Sequence, residues 1–121
     1  MNALIKLVVV AAIVLALDIP WLLLTQGWAG PMFKRIQGGT PMRFRIAAVP
    51  IVYLAIAYLL LNVTTDKNVF FVGAAIYAIY DFTNYATLGK YELPFAIADT
   101  LWGGVIFTLS RFVLKKLKLL H

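Results

Sequence analysis

Four apolar stretches constrain this chain more than any other feature of its sequence. They cover approximately residues 3–25, 46–62, 69–86 and 93–114. A helix that crosses the hydrocarbon core of a bilayer needs about 20 mostly apolar residues. The chain is 63% hydrophobic and 13% charged, whereas soluble domains carry about 25% charged residues. We therefore predict an all-α, multi-pass integral membrane protein: one domain, residues 1–121, folded as an antiparallel bundle of four transmembrane helices.

The charged residues and the absence of cysteine exclude several kinds of protein. Without cysteine the chain has neither disulfides nor thiolate metal sites. Its net charge is +6, and the basic residues lie in the predicted loops and near the C-terminus. This placement favours contact with anionic lipids over nucleic acid binding. The 11 basic residues are divided almost evenly between the two predicted sides, so the positive-inside rule leaves both the orientation and the membrane open.

Three aspartates lie inside the predicted membrane spans. A carboxylate in the bilayer core costs at least about 2.5–3.5 kcal/mol, so Asp18, Asp81 and Asp99 need partners or a function. In a four-span topology each of the three lies near one end of its span, and these three ends open on the same side of the membrane. At 1.5 Å per residue we place each of them roughly 7–11 Å below that surface. The sequence thus predicts that three helices bring an acid to one level, and that the second helix brings none.

Polar and aromatic residues accompany these aspartates at helical spacing. Asp18 and Asp99 are each followed by tryptophan in an Asp-x-x-Trp pattern, and an indole N–H one turn along a helix can donate to the carboxylate of the same helix. The predicted polar site comprises Asp18, Trp21, Tyr77, Tyr80, Asp81, Thr83, Asn84, Asp99 and Trp102. We expect no cofactor and no metal; Asp81 and Asp99 are the ligands if a metal binds. Tyr53 and Phe70 are interpreted as packing residues or interfacial anchors.

Basic residues dominate the longest predicted loop, on the same side as the aspartates. Lys34, Arg35, Arg43 and Arg45 are predicted to contact a phosphate or anionic headgroup. The acids Asp66 and Glu92 are assigned to the other two loops, where water solvates them. Small residues on the third and fourth helices permit close helix contacts, either within the chain or in a homodimer: Gly73, Ala74, Ala75, Gly103 and Gly104.

Four motifs occur in order along residues 18–103. They are Asp18-Ile19-Pro20-Trp21, Phe33-Lys34-Arg35 with Gly38, Tyr80-Asp81-Phe82-Thr83-Asn84 with Leu88, and Asp99-Thr100-Leu101-Trp102-Gly103. With these motifs the chain resembles a family of small, predicted four-span membrane proteins, found mostly in bacteria and classed as a domain of unknown function. Its third loop, Lys90-Tyr91-Glu92, is more charged than the family pattern. The resemblance implies the fold and the site, but no chemistry.

Three functions are compatible with such a site. The first is proton- or cation-linked transport, because neighbouring buried carboxyl groups titrate as a coupled set. The second is an intramembrane enzyme that acts on a lipid, with the basic loop holding a phosphate and an aspartate acting as general base. The third is structural: a membrane subunit of a larger assembly, or a packing protein whose acids pair with cations of a partner. The acids can also be purely structural within the chain, joining helices through hydrogen bonds worth roughly 0.6–2 kcal/mol each.

Overall fold

The computed structural model describes residues 1–40 and 45–121, and these residues contain four α-helices and no strand. Arg43 lies outside the described residues. The helices are α1 (Ala3–Ile36), α2 (Ala48–Asn62), α3 (Val69–Thr87) and α4 (Leu93–Lys116). The predicted all-α, four-helix architecture is confirmed.

Helix α1 is 34 residues long and continues well beyond the predicted end near residue 25. Gly27, Gly30 and Pro31 had suggested a loop, but all three lie inside the helix. The additional turns bury apolar side chains against the segment between α3 and α4: Met32 is fully buried and packs with Tyr91. Burial of a large side chain is worth roughly 1.5–3 kcal/mol, which offsets the two helical glycines at about 1 kcal/mol each, and Tyr91 and Phe95 are buried in the same cluster. Tertiary packing therefore overrides the local helix-breaking signals.

Two consecutive glycines terminate α1. Gly38 and Gly39 have φ angles of 69° and 100°, in the left-handed region that favours glycine. Their backbone N–H groups donate to the carbonyls of Arg35 and Lys34. The turn thereby satisfies carbonyl groups that the end of a helix leaves without intrahelical partners.

Helices α3 and α4 form the closest pair, and glycine permits their approach. A Cβ atom on Gly73 would overlap the Gly103 carbonyl and the Phe107 side chain, and one on Gly103 would overlap Tyr77. Gly104 is covered in the same way by the Phe70 ring. These small residues are thus occupied within the chain.

Helix α1 packs on α2 and, less extensively, on α4. The main core lies between these helices and contains the fully buried residues Val10, Val14, Ala57, Leu60, Ile106, Phe107 and Leu114. Large apolar side chains also cover the outside: Leu23 and Leu24 are 72% and 81% exposed, and Phe71 is 72% exposed. By length and hydropathy, α1 and α4 are each capable of crossing a membrane.

An ion-pair cluster fixes the α2–α3 loop to the end of α4. Arg111, in α4, donates from Nε to Asp66 Oδ1 at 2.7 Å and from Nη1 to the backbone and hydroxyl oxygens of Thr64. Lys115 Nζ lies 2.8 Å from Asp66 Oδ2. The hydrogen bonds from Lys115 and Arg111 lower the pKa of the Asp66 carboxyl below its usual 3.8. Asp66 lies in a loop and is exposed, as predicted, and it also pairs with two cations, which the sequence did not predict.

Replacement of Gly73 by alanine should destabilise the α3–α4 contact, since the methyl group meets a backbone carbonyl that has no room to move. Overpacking of this kind costs about 1–3 kcal/mol. Gly27→Ala is the matched control: nothing lies within 4 Å of its Cβ position, so alanine there should be neutral or stabilising. Denaturation by SDS in mixed micelles measures the stability of both variants. Equal stability of the two variants would contradict the assigned contact.

The Asp66 ion pairs should make stability depend on pH in the acidic range. Because the folded-state pKa lies below 3.8, the stabilisation is fully present above the unfolded-state pKa. It is lost as the pH falls through the lower folded-state value. The wild type should therefore melt at a higher temperature than Asp66→Asn at neutral pH, and the difference should disappear well below pH 3.8. A difference that persists in strong acid would contradict the assignment.

Candidate functional site

Helices α1 and α4 exchange hydrogen bonds between their two Asp-x-x-Trp motifs. Trp21 Nε1 donates to Asp99 Oδ1 at 2.9 Å, and Trp102 Nε1 donates to Asp18 Oδ1 at 2.7 Å. The two indole rings stack, with centroids 5.0 Å apart and planes inclined by 8°. The prediction that each indole serves its own helix was wrong. Because α1 and α4 run in opposite directions, the aspartate of one helix lies level with the tryptophan of the other.

Helix α2 supplies a second hydrogen-bond donor to the Asp18 carboxylate. The Tyr53 hydroxyl donates to Asp18 Oδ2, so both oxygens of this buried carboxylate have a partner. Tyr53 also packs in the main core, as interpreted from the sequence, and its hydroxyl has this additional role. Its position in an otherwise apolar helix gave no signal, because the hydroxyl function depends on how α2 is rotated against α1.

The Asp81 carboxyl group is fully buried, at 0% exposure. Its Oδ1 accepts a hydrogen bond of 2.7 Å from the Tyr91 hydroxyl. No hydrogen-bond donor among the described residues contacts its Oδ2 atom. The Asp99 carboxyl, however, lies within hydrogen-bonding reach of Asp81. A hydrogen bond between two carboxyl groups requires one proton, so this contact forms in a singly protonated pair and not in a doubly ionised one.

Tyr77 lies in the middle of the group. It is largely buried in α3 against Gly103, and it interacts electrostatically with Asp18, Asp81 and Asp99. Asp18 in turn interacts with Asp99. The structure thus brings the three aspartates together around one tyrosine. We call the set of Asp18, Tyr53, Tyr77, Asp81, Tyr91 and Asp99 the aspartate cluster.

The remaining predicted site residues of α3 are divided between the cluster and the surface. The Asn84 side chain is within hydrogen-bonding reach of the hydroxyls of Tyr80 and Tyr91, so it connects the cluster with Tyr80, which is 55% exposed. Thr83 is exposed on the outside of the helix. Of the Tyr-Asp-x-Thr-Asn motif, therefore, tyrosine, aspartate and asparagine face the site region.

The α3–α4 loop covers one end of the cluster. Tyr91 is buried, and this burial, together with the hydrogen bond to Asp81, raises the pKa of its hydroxyl above the usual 10.0. It therefore remains a proton donor. Beside it, Glu92 accepts from Trp28 Nε1 at 3.2 Å and pairs with Arg35 Nη2 at 2.6 Å. Sequence reasoning placed Glu92 in this loop, as the structure does, but missed its two partners and the contact of Tyr91 with Asp81. The charged third loop was the available signal for both.

The basic residues of the predicted headgroup contact have separate positions. Arg35 is paired with Glu92, whereas Lys34 and Arg45 are exposed. In residues 1–40 and 45–121, no group of three or more His, Asp or Glu side chains is arranged to hold a metal ion. The contact with anionic lipid stays a prediction.

One comparison with known proteins identifies a family. Residues 3–114 match the family model described as "Predicted membrane protein (DUF2177)". The chain therefore belongs to this family of predicted membrane proteins of unknown function, and the resemblance drawn from its motifs is confirmed. No curated protein and no solved structure matches the chain.

Substitution of either Trp21 or Trp102 by phenylalanine should destabilise the protein. Each change leaves a buried carboxylate oxygen without its donor, which costs about 1–3 kcal/mol. Trp28→Phe is the control, because its acceptor Glu92 is partly exposed and water can replace the indole. SDS denaturation in mixed micelles should show that Trp21→Phe and Trp102→Phe are less stable than Trp28→Phe. The same loss in all three variants would indicate that ring packing, and not the exchange, stabilises α1 against α4.

Proposed function

We propose that this member of the family crosses the membrane four times and that its aspartate cluster binds and releases protons in the transport of a cation or small solute. The topology and the proton chemistry rest on different observations, and they are tested separately.

The apolar outer surfaces of α2 and α3 support the four-span topology. No charged residue occurs in α2, and its Ile51 and Val52 side chains are 70% and 51% exposed. Asp81 is the only charged residue in α3, and it is buried. At 1.5 Å per residue, the 15 residues of α2 span roughly 22 Å. A bilayer accommodates such a short helix by local thinning.

Single cysteines introduced into this cysteine-free chain distinguish four crossings from two. If α1 to α4 all cross, Lys67→Cys and His121→Cys lie on one side and Gly89→Cys lies on the other. If only α1 and α4 cross, Lys67→Cys lies on the same side as Gly89→Cys. Labelling with a membrane-impermeant maleimide, before and after the membranes are opened, should group position 67 with position 121. Grouping with position 89 would contradict the four-span topology.

The Asp81–Asp99 pair is the observation that carries the proposed proton chemistry. Asp18 has a donor for each oxygen, so its hydrogen bonds need no shared proton. Asp81 and Asp99 instead share an interaction that needs one proton. Such a pair can accept a proton from one side of the membrane and release it to the other, provided that access alternates. Intramembrane acids in transporters characteristically form proton relays of this kind.

The surroundings of the pair support a route for the proton towards one end of the bundle. The Tyr91 hydroxyl contacts Asp81 directly. Asn84 lies between the hydroxyls of Tyr91 and Tyr80, and Tyr80 is half exposed. In the other direction, Tyr77 lies among all three acids. The hydroxyl and carboxyl groups accept and donate protons and serve as steps of a relay, whereas the Asn84 amide only holds the two tyrosine hydroxyls by hydrogen bonds.

Replacement of Asp81 by asparagine should abolish proton flux. The amide preserves the shape of the carboxyl group but neither binds nor releases a proton near neutral pH. Purified protein in liposomes that contain a pH-sensitive dye reports the flux after a pH gradient and a membrane potential are imposed. The matched control is Asp66→Asn, which removes an exposed carboxyl group outside the cluster and should retain the flux. Undiminished flux in Asp81→Asn would contradict proton transfer by the cluster.

A further inference from the structure

An open depression of about 450 Å³ lies where the end of α1 meets the α3–α4 loop. Its lining residues are Pro31, Lys34, Arg35, Gly38, Gly39 and Lys90. The two glycines close the turn at the end of α1 and contribute no side chain, and apart from the adjacent residues no atom of residues 1–40 or 45–121 lies within 4 Å of their Cβ positions. Three of the six lining residues are basic.

The charges in this depression are not balanced by the neighbouring acid. Arg35 is the partner of Glu92, at 2.6 Å. Among residues 1–40 and 45–121, neither Lys34 nor Lys90 takes part in a salt bridge. Lys34 and Arg35 interact favourably with the negative C-terminal end of the α1 dipole. Lys90 belongs to a different segment and does not stabilise the end of α1. Two cations from separate segments thus face the same open space.

The depression lies just beyond a group of aromatic rings. Trp28 packs on Phe95, with ring centroids 5.2 Å apart, and Phe33 and Tyr91 meet edge to face at 5.9 Å. Tryptophan and tyrosine concentrate at the boundary between hydrocarbon and headgroups. Lys34 follows Trp28 by six residues, or roughly 9 Å along the helix. The headgroup region is roughly 5–8 Å thick on each side of the bilayer, so the backbone of Lys34 lies at its outer edge. The long lysine side chain extends back to the level of the lipid phosphates, and Lys90 lines the same depression.

We propose that this depression binds the phosphate of an anionic phospholipid, with Lys34 and Lys90 as its charged contacts. The ion pair with Glu92 holds Arg35 as one wall of the site. The acyl chains of the lipid extend along the exposed apolar face of α1 towards Leu24 and Leu23. This inference is independent of proton transport, because it uses neither the aspartate cluster nor its protonation.

Native mass spectrometry of the purified full chain in neutral detergent tests the proposal. The two probes are dioctanoylphosphatidylglycerol, which is anionic, and dioctanoylphosphatidylcholine, which carries a phosphate but no net charge. Each lysine near an anionic surface contributes roughly a fivefold change in affinity. Lys34→Gln combined with Lys90→Gln should therefore weaken binding of the anionic lipid about 25-fold. Lys116→Gln combined with Lys118→Gln removes the same charge at the opposite end of the chain and should leave the affinity within about twofold.

Each outcome decides between defined alternatives. The site is supported if only the Lys34/Lys90 variant loses affinity for phosphatidylglycerol and all variants bind phosphatidylcholine weakly. Equal weakening in both paired variants would show that net charge alone attracts the lipid, and would overturn the proposal. Displacement of phosphatidylglycerol by an equal concentration of inorganic phosphate would assign the depression to free phosphate and would overturn the lipid as its ligand. Equal affinity for the two lipids would overturn the role of charge.

Discussion

The exchange of hydrogen bonds between Asp18 and Trp102, and between Trp21 and Asp99, is the constraint on which the arrangement of the helices depends. A carboxylate in an apolar interior is strongly destabilising unless hydrogen bonds satisfy it. Here the donors come from other elements: α4 and α2 serve Asp18, α1 serves Asp99, and the α3–α4 loop serves Asp81. Sliding α1 along α4 by one turn would break both indole bonds and the ring stack together. The acids therefore fix the register of helices whose apolar surfaces would pack in many ways.

Close packing of α3 on α4 brings the third acid to the same place. In lipid, apolar surfaces do not drive helices together, so small residues and polar contacts decide which faces meet. Gly73 and Gly103 let the two backbones approach, and Tyr77 lies against Gly103. This contact turns the face of α3 that carries Asp81 towards Asp99. The glycines and the aspartates thus act on the same pair of helices, and a change in either alters the distance between the two carboxyl groups.

The sequence predicted those features that local properties determine. Apolar length revealed four helices, and the cost of burying charge revealed Asp18, Asp81 and Asp99 as unusual. It did not reveal that each tryptophan serves the opposite helix, because spacing within one helix carries no information about the level of its neighbour. Tyr53 and Tyr91 were missed for the same reason, since their hydroxyls acquire a partner only when α2 and the α3–α4 loop are in place. The end of α1 was misplaced because Met32 gains its burial from residues about 60 positions further along the chain.

The three acids are not equivalent, and the difference indicates how protonation can act on the helices. Asp18 is satisfied by indole and phenol donors that keep their protons, so its contacts do not change as protons come and go. The contact between Asp81 and Asp99 exists only while the pair holds a proton, and Asp99 is also the acceptor of Trp21. Loss of that proton places two negative charges beside each other in an apolar interior, where repulsion is weakly screened. The helices that carry them must then separate or admit water. Asp18 and Trp21 both belong to α1 and bind it to α2 and α4 through donors that keep their protons. Protonation of the pair therefore acts first on the contact between α3 and α4.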